Sequence, residues 1–126
     1  MALTIAGIPD ARWYLGPSLQ CKLIQCTPAV SDYPNGGWVL TAEQLEFGNG
    51  HVYGASLLNQ EYAASSAPIF SVSLPSTSYG TNPQPSTTQI NVGAYVSSGT
   101  LYNNFPEAPT NTDFSGYPFW LLVYGY

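Results

Sequence analysis

Residues 117–126 read YPFWLLVYGY and carry no charge. With the two-residue period of a β-strand, Phe119, Leu121 and Val123 fall on one face. Trp120, Leu122, Tyr124 and Tyr126 fall on the other. Both faces are apolar, so both need cover. Two other segments alternate more simply. In 69–74, Ile69, Ser71 and Ser73 oppose Phe70, Val72 and Leu74, and in 88–96, Ile90, Val92 and Ala94 share one side. Each predicts a half-buried strand with one wet or partner-facing side. Shorter strands are predicted over 3–8, stopped by Pro9-Asp10; over 12–15, closed by Gly16-Pro17; and over 19–26, ended by Thr27-Pro28.

Asn35-Gly36 supplies the positive φ angles of a tight turn, which predicts a hairpin pairing 30–33 with 38–40. Over 41–47 two signals compete. Thr41 and Gln44 fit a helical capping box, whereas Leu45 and Phe47 alternate with Gln44 and Glu46 as in a strand. The strand is preferred, followed by a turn at 48–50 into a further strand over 51–58. Residues 59–68 suit a short helix capped by Asn59. Two long uncharged or weakly charged stretches, 75–88 and 103–118, read as loops or arms. The first, containing Tyr79, suits an extended polyproline-like arm. The second carries Phe105, Phe114 and Tyr117, which predicts that it is ordered against something. No long helical period separates the strands. The fold class expected for 1–126 is therefore a single all-β domain, an antiparallel β-sandwich or jelly-roll-like fold with at most short helical turns.

Charge changes the picture more than hydrophobicity does. Only 7% of the 126 residues are charged, with seven acids against two bases, Arg12 and Lys22. A globular chain ordinarily carries ~25%. Two cations cannot neutralise a phosphate backbone, so no nucleic-acid partner is expected, nor an anionic membrane surface. No run reaches the ~18 apolar residues of a membrane helix. The opening MALTIAGIPDARWYLG lacks the basic and apolar regions of a secretory signal, so no such export is expected. The polar surface must be built from Ser, Thr, Asn, Gln and Tyr, which suits broad uncharged contacts.

Residues with chemical potential each have a simpler reading. If 21–26 is one strand, the Cα atoms of Cys21 and Cys26 lie about 16 Å apart at ~3.3 Å per residue. A disulfide needs them within ~7 Å. Zinc would require further ligands, and His51 is the only histidine. Two buried, unreactive thiols are expected. His51 is placed at a turn-to-strand junction, without a nucleophile elbow elsewhere in the chain. Glu43 and Glu46 are close in sequence, but no pattern sets two carboxylates at a glycosidase spacing. In NTDFSG, Asn111, Asp113 and Ser115 alternate like calcium ligands, yet the closing acid is missing, which leaves an Asx turn. No enzyme activity, metal or cofactor is expected.

Trp13 and Trp38 are candidates for ligand-facing aromatics in a carbohydrate-binding β-sandwich, so a glycan is the alternative partner. The preferred reading is a structural subunit that docks on copies of itself or on a larger protein assembly. Its predicted interface is Tyr117, Phe119, Trp120, Leu122, Tyr124 and Tyr126, joined by Tyr79, Phe105 and Phe114 from the loops. In its shortness, low lysine content, β-rich pattern and Pro/Ser/Thr loops, the chain resembles small structural proteins of bacteriophage virions, such as decoration, neck and fibre-base subunits. The resemblance is one of composition, and it implies a virion location, with host cytoplasm as the site of assembly.

Overall fold

The computed structural model describes residues 3–58, 68–77, 84–85, 88–96 and 106–126, with the side chains of all but 8–11, 76–77 and 84–85. The described elements are β1 (Thr4–Gly16), β2 (Leu19–Thr27), β3 (Trp38–Thr41), β4 (Val52–Leu58), β5 (Ile69–Ser73), β6 (Ser76–Thr77), β7 (Gln84–Pro85), β8 (Gln89–Tyr95) and β9 (Phe119–Gly125). No helix occurs among the described residues. Sheet A has the order β1-β2-β9-β4 and sheet B the order β3-β8-β5, while β6 and β7 form a small ladder. All pairs are antiparallel. Sheets A and B enclose one core, as the all-β sandwich reading requires. Ile24, Cys26, Val52, Phe119, Leu121 and Val123 come from sheet A, and Trp38, Leu40, Phe70, Ile90, Val92 and Ala94 from sheet B.

β9 lies between β2 and β4, bonded on both edges. Its alternation is as expected: Phe119, Leu121 and Val123 are fully buried, and Trp120, Leu122, Tyr124 and Tyr126 are half-buried. Gly125 is required by close approach. A Cβ there would run into the His51 carbonyl oxygen and sit 2.6 Å from the Phe47 ring. The alternation of β5 and β8 also stands, with Ile90, Val92 and Ala94 inside and Ile69, Ser71 and Ser73 outside.

Several local expectations are corrected. The two short strands expected on either side of Pro9 are one strand, β1, with a register shift between Gly7 and Arg12. β1 is an edge strand, so a proline without a donor N–H is tolerated where the ladder is interrupted. The 34–37 turn forms, with the Gly37 amide donating to Pro34 O at 3.0 Å. Gly36 and Gly37 have φ of 85° and 99°. Its strand does not pair with 30–33, however; β3 pairs with β8. A side chain at Gly37 would meet the Val92 carbonyl, so the turn docks on sheet B rather than closing a hairpin.

After Thr41, the last residue of β3, residues 42–47 are a turn rather than a strand, because the caps at its two ends outweigh the alternation. The Thr41 amide donates to Gln44 Oε1 at 2.9 Å, and the Gln44 amide donates to Thr41 Oγ1 at 3.2 Å. At the other end, Phe47 N bonds Ala42 O and Glu46 N bonds Glu43 O, both at 3.0 Å, with Glu46 at φ 60°. This is a Schellman closure after one turn, with a non-glycine residue in the left-handed position. The described ends of 75–88 pair with each other, Ser76 with Pro85 and Thr77 with Gln84, so they fold back instead of forming an extended arm. The helix expected over 59–68 lies outside the described residues except Pro68. In the second loop, residues 106–108 run beside β8: Glu107 bridges Tyr95, and the Ala108 amide donates to Ala94 O at 2.8 Å.

Candidate functional site

The register of sheet A decides which side chains share its outer face. In antiparallel ladders, residues directly opposite point the same way. One row is Trp13 (β1), Cys21 (β2), Tyr124 (β9) and Gly54 (β4). The next holds Leu23, Leu122 and Ser56, and the third Ala6, Gln25, Trp120 and Leu58. None of these side chains is charged. Sheet B lies against the opposite face, so these rows form the sandwich exterior. Trp13 is 48% exposed and Leu58 39%.

The face continues at the end where β9 finishes. The His51 and Tyr126 backbones exchange two hydrogen bonds, of 3.1 and 2.9 Å, which extends the β4–β9 ladder by one pair. A register shift between Val52 and Gly54 leaves Tyr53 as the extra residue. Its ring stacks on His51 with centroids 6.0 Å apart and planes 8° from parallel. A bulge of this kind re-aims a side chain, and here it adds an aromatic surface beside Tyr124 and Tyr126.

The predicted site residues therefore separate. Trp120, Leu122, Tyr124 and Tyr126 are brought together on the outer face, and Trp13, expected as a ligand-facing aromatic, joins them. Tyr117 is half-buried against the core cluster. Phe119 and Phe114 belong to the core itself, 1% and 2% exposed, and are corrected as interface residues. Trp38 is likewise corrected: it is buried at the centre of an aromatic cluster with Tyr33, Phe70, Phe114 and Phe119. Its indole N–H, buried, has no hydrogen-bond acceptor among the described residues. What Phe114 orders the second loop against is thus the domain's own interior. Tyr79 and Phe105 lie outside the described residues.

Three residues with structural roles escaped sequence reasoning. Tyr33 is fully buried, donates its hydroxyl to Glu107 Oε1 at 2.9 Å and accepts the Ala94 amide at 3.0 Å. Burial pushes its phenol up to about 12. Lys22 is buried on the inner side of β2. Its ammonium donates to Leu45 O at 2.9 Å and to Glu46 O, and lies 4.4 Å from the Phe47 ring centroid. It thereby satisfies carbonyls left open at the end of the 41–47 turn, the place where a cation is most favourable. Burial first, then the nearby Arg12, pull the ammonium below its ordinary range, while Glu46 pulls it back up. Glu107, expected only as a scattered acid, is the partner of Tyr33.

The remaining chemical candidates take the quieter roles. Cys21 and Cys26 sit on one continuous strand as free, buried thiols. Burial raises both, Cys26 to about 12. His51 precedes β4 as expected. Asp113 accepts the Ser115 amide at 2.9 Å, the Asx turn, and its bonds to Ser115 lower its carboxyl. No group of three or more His, Cys, Asp or Glu among the described residues is arranged to hold a metal. No helix among them is long and apolar enough to cross a membrane. No family model, curated protein or solved structure matches the chain.

Proposed function

We propose that the protein is a non-enzymatic structural subunit that docks, through the outer face of sheet A, onto copies of itself or onto a larger assembly of the bacteriophage-virion type. The observation that carries this reading is the uncharged four-strand face of Trp13, Leu23, Leu58, Trp120, Leu122 and Tyr124. Interface cores are depleted in charge and enriched in aromatics, and buried aromatic anchors supply most of their binding energy. A net charge of −5 disfavours close approach of copies everywhere except across a neutral surface.

Light-scattering mass across a concentration series tests the self-association arm, and co-sedimentation with the assembly tests the heterologous arm. Trp120→Lys is expected to weaken association by at least about 30-fold, the factor that a hot spot of ~2 kcal/mol sets. Its far-UV circular dichroism should be unchanged. Unaltered association in Trp120→Lys and Leu122→Lys alike would refute docking through this face.

A second reading, glycan recognition, is favoured by the exposed Trp13 and the stacked His51–Tyr53 pair, which offer flat surfaces to sugar C–H faces. Tryptophan quenching by oligosaccharides, lost in Trp13→Ala, distinguishes it from assembly.

A further inference from the structure

The only two basic residues of the chain face each other. Arg12 on β1 is registered directly opposite Lys22 on β2, on the side of sheet A away from the docking face. Like charges directly opposite in a ladder are destabilising, and the rest of this chain would offer ample distance between two cations. Both also line one cavity, of about 90 Å³, between the β1–β2 ladder and the 41–47 turn. Its other walls include Ile5 and Leu45, which are apolar, and Gln44 and Glu46.

The roles of the two cations differ. Lys22 directs two of its three donors at Leu45 O and Glu46 O, which fixes its positive charge beside the cavity. The Arg12 guanidinium forms no ion pair or hydrogen bond to the described residues, and Arg12 is exposed. Its planar fork is the group best suited to donate to two oxygens of an anion side by side. Gln44 adds a neutral amide.

We propose that this cavity between β1, β2 and the 41–47 turn is a binding site for a single carboxylate, gripped by Arg12 and held in the field of Lys22. Charge selects the monoanion. Among the described side chains, two cations against Glu46 leave one positive charge, which a carboxylate neutralises and a phosphate dianion would exceed. Size agrees: the cavity is smaller than the ~150 Å³ that accommodates benzene. The apolar Ile5 and Leu45 suit the short aliphatic stem behind a carboxylate. The carboxylate comes either from a small free acid or from an acidic side chain of a neighbouring protein molecule. The site does not depend on the assembly reading, because it lies on the other side of the sheet.

The test is nuclear magnetic resonance of the full chain at neutral pH, following the Arg12 side-chain N–H and the Gln44 amide. The probes are sodium acetate, inorganic phosphate and the capped peptide acetyl-Gly-Glu-Gly-amide, each against sodium chloride at equal ionic strength. Acetate is expected to give a saturable shift with a dissociation constant on the order of 10 mM, as one charge-assisted contact supports. Arg12→Gln should weaken it about tenfold, and Arg12→Lys, which keeps the charge without the fork, by less. Because Arg12 is exposed, both variants retain the fold, and their unchanged amide spectra elsewhere will verify it. Peptide binding tighter than acetate identifies a protein-borne carboxylate; equal or weaker binding identifies a small free acid. The proposal is overturned if acetate gives no shift beyond the chloride control. It is equally overturned if Arg12→Gln binds as well as the wild type, or if phosphate binds more tightly than acetate.

Discussion

The two faces of β9 are made of the same kind of side chain and meet different environments. Phe119, Leu121 and Val123 belong to the core shared with sheet B and are at most 1% exposed, whereas Trp120, Leu122 and Tyr124, one residue out of phase, stay half-buried on the exterior. Composition cannot explain the difference, because an aromatic and two aliphatics on one side face two aromatics and an aliphatic on the other. What separates them is the partner across each face. The inner face has a second sheet to fill its gaps; among the described residues, the outer face has only its neighbours within sheet A. A monomer does not need a strand with two apolar faces at its exterior, and this surplus is what points towards docking.

Shortening one leucine on each face tests directly whether the two environments differ. Leu121→Ala should cost about 2–5 kcal/mol of stability in urea unfolding, as lost burial plus a residual cavity. Leu122→Ala, measured on dilute protein, should cost about 1 kcal/mol or less. Equal costs would mean that the outer face is already covered within one molecule, and the docking reading would lose its basis.

Alkaline titration probes chiefly the inner side, with Cys21 on the outer face raised by burial in the same direction. Cys26 and Tyr33 are both held protonated by burial, each up to about 12 against ordinary values of 9.0 and 10.0. The unfolded chain releases those protons first, so the native state binds more protons in that interval and stability falls as pH rises. It is complete below about pH 9 and is lost progressively towards pH 12. Lys22 acts in the opposite sense, since its lowered ammonium favours the native state as pH rises, and it offsets part of the decline. The urea midpoint should therefore drop over this range, with a flatter slope in Cys26→Ala. An unchanged slope would show that the thiol is not the group titrating.

The smallest effect is expected where no second sheet is involved. Thr41→Ala removes the side-chain acceptor of the capping box and should cost about 1 kcal/mol. A much larger loss would mean that the 41–47 turn is coupled to Lys22 and the core more tightly than its exposed cap suggests.

How far the sequence could be read depended on the range of the interaction concerned. The period-two alternation of β5, β8 and β9 survived, because burial of one face leaves a local imprint on every second residue. The Asn35-Gly36 turn and both halves of the Thr41–Gln44 box were visible for the same reason: their partners lie within a few residues. The preference for a strand over 41–47 failed because the Schellman closure uses Glu46 at positive φ, a position where glycine is the usual signal. The hairpin failed because an open turn and a strand do not name the strand's partner.

By itself, then, the chain determined an all-β fold, the faces of its clearest strands, two unreactive thiols and a surface nearly free of charge. These follow from local geometry and from composition. Long-range packing set the rest: β9 runs between β2 and β4, Trp13 joins Trp120 and Tyr124 while Trp38 goes inside, and Arg12 stands opposite Lys22. Backbone ladders accept almost any partner strand. The choice is made by how distant side chains fill one core, and that information is spread over the whole chain rather than written in any one segment.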